Sequence, residues 1–214
     1  MEGWAPAAEP QQVFLNWDRD ITPGATAIHG IDREFLAQNG GPPTEVLTSF
    51  RSAVGPLRVG SYNFSFDGDA CLNPELASRG LQPISRELCL LNAARRLFDP
   101  SPAGNHKLQS LRAHFKAPER EAHGALDDVL TVLDLLPVFR SRAEEHGITT
   151  WEAFVVFANE AWYPSVLAFG KYKGQSVASL RGNARFHSYC EWLEKNADAN
   201  EFRKMARYYR DATR

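Results

Sequence analysis

The residues best suited to chemistry stand in the run Glu121-Ala122-His123-Gly124-Ala125-Leu126-Asp127-Asp128-Val129-Leu130. A histidine is followed by an acidic pair and then by Leu126, Val129, Leu130, Leu133 and Leu136, a stripe at helical spacing. The step from His123 to Asp128 turns about 140° on a regular helix. One site can hold both only if Asp128 sits in the first helical turns and His123 lies just ahead of them, on a segment folded back over the helix. A mobile imidazole beside a fixed carboxylate suits a proton-accepting base next to a metal ligand. The same residues also suit an exposed loop histidine and two acids that complement a helix N-terminus.

A second candidate is Asp67. Leu57-Arg58-Val59-Gly60-Ser61-Tyr62 alternates like a strand and runs into Asn63-Phe64-Ser65-Phe66-Asp67, where the chain turns into a helix expected to reach about Arg79. In open α/β sheets, sites gather at the carboxyl ends of strands. Asp67 and Asp128 are then candidate oxygen ligands for hard cations such as Mg²⁺ or Mn²⁺. A metal-assisted phosphodiester hydrolase needs two such ions about 4 Å apart, one holding the attacking water and one the leaving oxygen. His123 would take the proton from that water. Taken alone, Asp67 also reads as an ordinary helix-terminal acid.

The elements that must position these groups alternate. Val13 to Trp17 predicts a short strand, and Asp32 is a plausible N-cap for a helix through Leu36. Gly40-Gly41-Pro42-Pro43 breaks the chain before a helix capped by Thr44. Glu87 to Leu90 predicts a short strand or helix lead-in, with helices over 92–98 and from Leu108 to Phe115. The helix after His123 is expected to run to about Leu136, with Pro137 kinking or ending it. Strands alternating with helices at this spacing indicate an α/β domain. The expected division is 1–140 as that domain, 141–162 as a linker helix, and 163–214 as a small basic module. In that module a glycine-bounded hairpin around Phe169-Gly170-Lys171-Tyr172-Lys173-Gly174 precedes helices over 185–196 and 200–212.

With 214 residues the chain can bury one full core with room for a small second module. Its apolar and charged fractions, 43% and 23%, are those of a soluble globular protein. No apolar run approaches the roughly 20 residues of a membrane helix, so no membrane partner is expected. The N-terminus has the pattern of neither a signal nor a transit peptide. Cys71, Cys89 and Cys190 lie far apart, odd in number and without metal-ligand spacing, which points to reduced thiols in a cytoplasmic protein. Residues 1–150 carry 14 basic and 19 acidic side chains against 10 and 7 in residues 151–214. An acidic first part suits metal ions and a basic end suits phosphates.

Three segments together resemble the DEDDh 3′→5′ exonucleases, the group of polymerase proofreading subunits and ribonuclease T. They are Ala27-Ile28-His29-Gly30-Ile31, then Gly60-Ser61-Tyr62-Asn63-Phe64-Ser65-Phe66-Asp67 (the N-x-x-F-D block), then His123-Gly124-Ala125-Leu126-Asp127-Asp128 (the H-x4-D block). Cys89 through Phe98, with Asn105-His106-Lys107-Leu108 and Leu111, matches the intervening helices, so the likeness covers roughly residues 13–139 in the family's order. It implies a ribonuclease H-like α/β fold and two-metal hydrolysis of a nucleic acid 3′ end, taken here as single-stranded DNA. It implies Asp67 and Asp128 as metal ligands, His123 as general base, and His29 and Ile31 lining the pocket for the terminal nucleotide. Asn63 and Phe66 would act as local supports, a cap and a packed ring, with Asn63 also counted among the substrate-binding residues, and Asp127 would be a solvent-facing neighbour.

The chain departs from the family at one point. The family carries a D-x-E pair on its first strand, and the D-x-E of this chain, Asp32-Arg33-Glu34, follows the His-Gly-Ile segment and opens a helix. The expectation is therefore a fold lacking its first strand, either as a shortened form of an active enzyme, which is favoured, or as a non-catalytic nucleic-acid-binding protein. Four carboxylates are required and two remain, so little activity is expected of this chain. The end of the chain has its own likeness. Leu167-Ala168-Phe169-Gly170-Lys171-Tyr172-Lys173-Gly174, with Tyr189-Cys190-Glu191-Trp192-Leu193, resembles the C-terminal module of exodeoxyribonuclease X-like proteins. Lys171, Lys173 and a stripe of Arg203, Arg207, Arg210 and Arg214 are candidate phosphate contacts, and Tyr172 a candidate base-stacking ring. The alternative is that these aromatics fill the module's core and the charges are solvated.

Overall fold

Among the described residues both strand pairs of the first hundred residues are parallel, and parallel pairs need crossovers. In the computed structural model, which describes residues 9–17, 19–120 and 124–214, β1 (Phe14–Leu15) pairs with β2 (Gly40–Gly41) across α1 (Pro23–His29) and α2 (Arg33–Asn39). After α3 (Pro43–Val54), β3 (Val59–Ser61) pairs with β4 (Arg86–Cys89) across a π-helical stretch, Ser65–Leu72, and α4 (Asn73–Ala77). This is the expected α/β class, in short strands. His123 lies outside the described residues.

Local chemistry accounts for the helix starts. Asp32 accepts the Phe35 N–H at 2.7 Å and caps α2 as expected. The α3 helix begins at Pro43 behind Pro42 and does not use Thr44 as its cap. Proline at the first helical position loses only an N–H that has no partner inside the helix.

The chain divides into two compact units, Met1–Leu97 with Ala103–Glu160, and Phe98–Pro102 with Ala161–Arg214. One core of the first unit gathers Leu47, Phe64, Leu76, Ile84 and Cys89. The guanidinium groups of Arg19 and Arg79 both lie over the Trp17 ring, at 5.1 and 5.7 Å from its centroid, and Glu75 bonds both, at 2.8 and 2.7 Å. The unit continues through α5 (Leu90–Leu97), α6 (Leu108–His114), α7 (Ala125–Glu145) and α8 (Trp151–Asn159).

Pro137 neither ends nor stops α7, which runs on to Glu145. An internal proline costs about 3 kcal/mol, but Leu135 and Leu136 before it and Phe139 and Ala143 after it are all buried. Each large apolar side chain so buried contributes about 1.5–3 kcal/mol, so packing on both sides outweighs the lost bond. The inward stripe is also rotated from the expected one: Thr131, Leu135, Phe139 and Ala143 face the core, whereas Val129 is exposed. The buried Thr131 hydroxyl donates to the Asp127 carbonyl at 2.7 Å, so a polar residue fits that face. The 141–162 segment is not a free-standing linker. It holds the end of α7 and all of α8, which packs on α5 and β4, and Asn159 donates to the Glu87 carbonyl at 2.9 Å.

The second unit is built on α9 (Ala184–Asn196) and α10 (Asn200–Ala212), packed together over Leu167, Tyr172, Leu180, Phe186, Cys190, Ala206 and Tyr209. The expected hairpin is a turn closed by one antiparallel bridge, Val166 to Ser176, followed by a 3₁₀ turn over Val177–Leu180. Asp99 joins residues 98–102 to this unit by accepting from Trp162 Nε1 and from the Ser165 backbone N–H and hydroxyl, at 2.8–3.0 Å. Burial pushes the Tyr209 phenol above its ordinary range, and its hydroxyl donates to the Pro164 carbonyl. Cys89 and Cys190 are buried and Cys71 is exposed. Among the described residues no helix is long and apolar enough to cross a membrane.

Candidate active site

Asp128 sits in the first turn of α7, where a carboxylate is favoured by the helix dipole. It precedes Leu135 by seven residues, so it lies within about 20° of the buried stripe. Gln109 Nε2, on α6, donates to Asp128 Oδ1 at 3.0 Å, and Arg112 Nε in turn donates to Gln109 Oε1 at 2.8 Å. The carboxylate is thus oriented by a neutral amide that is itself fixed, and it is in no ion pair among the described residues. Sequence reasoning missed Gln109, because a contact spanning 19 residues between two helices leaves no local spacing to read.

Asp67 lies in the first turn of the π-helical stretch and is exposed. The Asn63 carbonyl starts that turn by accepting the N–H groups of Phe66 and Asp67 at 2.9 and 3.0 Å. Asn63 therefore supports the turn through its backbone, not through a side-chain cap. The packed ring is Phe64, 1% exposed, and not Phe66, which is 61% exposed. Gly68 explains the choice: a Cβ there would collide with the Phe64 ring, so glycine lets that ring lie against the turn. π-helical turns are rare and recur at functional sites. Just before it, the Tyr62 hydroxyl donates to the His106 carbonyl at 2.5 Å, and burial pushes its phenol above the ordinary range against an opposing influence from Arg95.

His29 and Ile31 do share a cavity, of about 480 Å³, with Phe14, Leu15, Trp17 and Leu36 among its walls. His29 Nδ1 accepts the Ile31 N–H at 3.0 Å, so the neutral ring carries its proton on Nε2 and is fixed in orientation. Neither Asp67 nor Asp128 lines that cavity. Among the described residues no three His, Cys, Asp or Glu side chains are grouped to hold a metal ion. Asp67 and Asp128 fit a hard divalent ion in donor type, but two carboxylates do not make up the ligand set of a metal pair.

In the second unit the expectations split. Lys171 and Lys173 are exposed. Tyr172 is buried, with its ring edge-on to Phe186 at 5.1 Å, so it is a core residue and not a stacking platform. The arginine stripe is largely neutralised. Arg207 and Arg210 each lie 2.7 Å from Glu194, Arg203 donates to the Ala197 carbonyl, and Arg214 stands 3.9 Å from Asp211.

A family described as Exonuclease (the RNase_T family) matches residues 7–136, a span that includes Asp67, His123 and Asp128. The chain belongs to this exonuclease family. No curated protein matches it. Among solved structures it is similar to "Exonuclease X in complex with 5′ overhanging duplex DNA", at 24% identity and a TM-score of 0.46, over 66% of this chain and 76% of that one.

Proposed function

We propose that this chain is built for 3′→5′ exonucleolytic hydrolysis of a nucleic acid 3′ end, single-stranded DNA being the first substrate to test. Asp67 and Asp128 serve as two carboxylate ligands of a Mg²⁺ or Mn²⁺ pair, and His123 serves as the general base. The observation that carries this is the family match over residues 7–136, which takes in all three residues in order. When bound, the ions would polarise the phosphodiester and offset charge on the leaving oxygen. The chain's own residues do the rest. Gln109 holds the Asp128 carboxylate in place, the Nε2–H of His29 is presented for a nucleotide oxygen, and Ile31 packs beside the sugar or base. Lys171 and Lys173 contribute phosphate contacts in the second unit.

A second reading, a nucleic-acid-binding protein that does not cut, is favoured by the position of Asp32-Arg33-Glu34. Asp32 is engaged as the cap of α2, so this pair does not stand on a strand with both carboxylates on one face. Activity of the 214-residue chain is accordingly expected to be low. The test is 5′-labelled single-stranded DNA incubated with Mn²⁺ and an excess of protein. Slow shortening from the 3′ end, lost in Asp128→Ala, is the expected result. Shortening that persists in Asp128→Ala, or none at all, leaves the binding reading; rapid shortening lost in the variant overturns the expected impairment.

A further inference from the structure

The cations of the second unit fall into two sets. The arginines of α10 and Arg214 after it are tied to Glu194, Asp211 or a backbone carbonyl. Lys171 and Arg185 instead line a depression of about 450 Å³ with Ala184, Ser188 and Tyr189, and no carboxylate stands on its wall. Among the described residues neither cation is in an ion pair; Lys171 Nζ lies 5.7 Å from the Tyr172 ring centroid. Two like charges turned to one concavity without a counter-ion suit an anion that bridges them.

The depression is pre-formed. Its loop is pinned by Leu167 N–H to the Gln175 carbonyl at 2.9 Å, by Gly174 N–H to the Leu167 carbonyl at 2.7 Å, and by the buried Tyr172. Gly170 adopts φ +71°, and the Tyr189 hydroxyl occupies the place a Cβ would take, so no other residue fits there. The Ser188 hydroxyl donates to the Ala184 carbonyl, which leaves Lys171 and Arg185 as the cationic donors for an anion, with the Tyr189 phenol on the same wall.

The same face of α9 continues into an aromatic surface. Arg185, Ser188, Tyr189 and Trp192 stand at helical steps of three, four and seven, on one side of the helix. Trp192 is 57% exposed, and its ring is stacked on Tyr189, with centroids 6.3 Å apart and planes 15° from parallel. Trp192 lies about 10 Å along the axis from Arg185. A phosphate-sized anion site followed at that distance by a solvent-facing, backed indole is how single strands are held: charge on the backbone, stacking on the base. A free phosphate would use the cations and leave the indole idle; a lipid surface would use both, and retention on anionic vesicles separates it.

We infer that the α9 face of Arg185, Tyr189 and Trp192, with Lys171, binds single-stranded nucleic acid, one backbone phosphate sitting between Lys171 and Arg185 and one base stacking on Trp192. It extends the reading of the substrate as nucleic acid, and it is tested separately from catalysis. The assay is fluorescence anisotropy of a labelled single-stranded oligonucleotide without divalent ions, repeated from low to moderate salt. Lys171→Gln with Arg185→Gln should weaken binding about tenfold and reduce the log–log salt slope by about 0.7, the release expected for one single-strand phosphate. Trp192→Ala should also cost about tenfold with the slope unchanged, and Trp192→Phe should restore most of it. Arg207→Gln, at a cation already paired with Glu194, should stay within twofold. These substituted side chains are exposed, so folding is preserved, and circular dichroism verifies it.

If the wild type binds and these variants bind equally well, the inference falls while the nuclease reading stands. If the variants weaken binding but the wild type does not shorten the strand, or shortens it no faster than Asp128→Ala does, the inference stands and the nuclease reading falls. If the oligonucleotide does not bind at low salt, the inference falls while the nuclease reading is decided by the cutting assay with Mn²⁺; retention on anionic vesicles or on an acidic peptide, lost in the Lys171/Arg185 variant, then assigns the depression to that other partner.

Discussion

The two units place their uncompensated charge in opposite ways. The first carries 14 basic and 20 acidic side chains, the second 10 and 6. In the first, acids with structural work meet arginines: Glu75 bonds Arg19 and Arg79, Asp134 bonds Arg120 at 2.7 Å, and Glu160 bonds Arg96 at 2.6 Å. Asp67 and Asp128 take no arginine, nor do their neighbours Asp69 and Asp127, among the described residues. In the second unit Glu194 and Asp211 are matched by arginines, whereas Lys171 and Arg185, which share one depression, are in no ion pair among the described residues. Charge that the fold does not neutralise is charge available to a ligand, a cation in one unit and a phosphate in the other.

The contrast is one of charge and not of packing, and the largest predicted effects test that. Phe64 and Phe186 are each 1% exposed, one in each unit's core. Phe64→Ala and Phe186→Ala should each lower stability by about 3–5 kcal/mol in urea unfolding. A cost below about 1 kcal/mol for Phe186→Ala would mean that the second unit is loosely packed, and its concavity could not then be pre-formed.

A smaller effect separates structural from functional acids. Glu75 is largely buried between two guanidinium groups, so Glu75→Gln should cost about 1.5–3 kcal/mol, the range for hydrogen bonds to charged groups. Asp67→Asn should change stability by no more than about 0.5 kcal/mol, in either direction, because no described residue pairs with that carboxylate and it is exposed. The two variants should exchange rank in any activity that the chain shows. Equal stability losses would erase the distinction between the two kinds of acid.

Much of this was readable in the sequence where the signal is local. The Asp32 cap, the strands around Leu15, Gly60 and Leu88, and the two terminal helices lie close to where capping and periodicity place them. The order of His29-Gly30-Ile31, Asn63 to Asp67, and His123 to Asp128 pointed to the exonuclease family, which the match over residues 7–136 supports. What was misread depends on tertiary context. Phe64 and Phe66 are two aromatics two positions apart, and only Gly68 against the ring decides which one is buried. Pro137 stops a helix unless burial continues beyond it, as it does through Ala143. Tyr172 between two lysines resembles a surface stacking residue, but the turn that exposes Lys171 and Lys173 points the residue between them into the core. The arginine stripe of α10 was visible as a stripe, whereas its neutralisation depends on one glutamate of α9.

That glutamate supplies the finest test. The hydrogen bond from Arg207, followed by the charges of Arg207 and Arg210, holds the Glu194 carboxyl below the usual glutamate range. Because the folded value lies below the unfolded one, the pairing stabilises the protein above the ordinary glutamate value of about 4.3 and is lost as pH falls through the folded value. Unfolding midpoints of the wild type and Glu194→Gln should therefore differ near neutral pH and converge on acidification, with the gap also narrowing in high salt. Protonation frees Arg207 and Arg210 at the same time, so oligonucleotide affinity of Glu194→Gln at neutral pH should rise modestly above wild type. An unchanged affinity would show that a cation must stand at the Lys171–Arg185 depression, and not merely be free, to contact the strand.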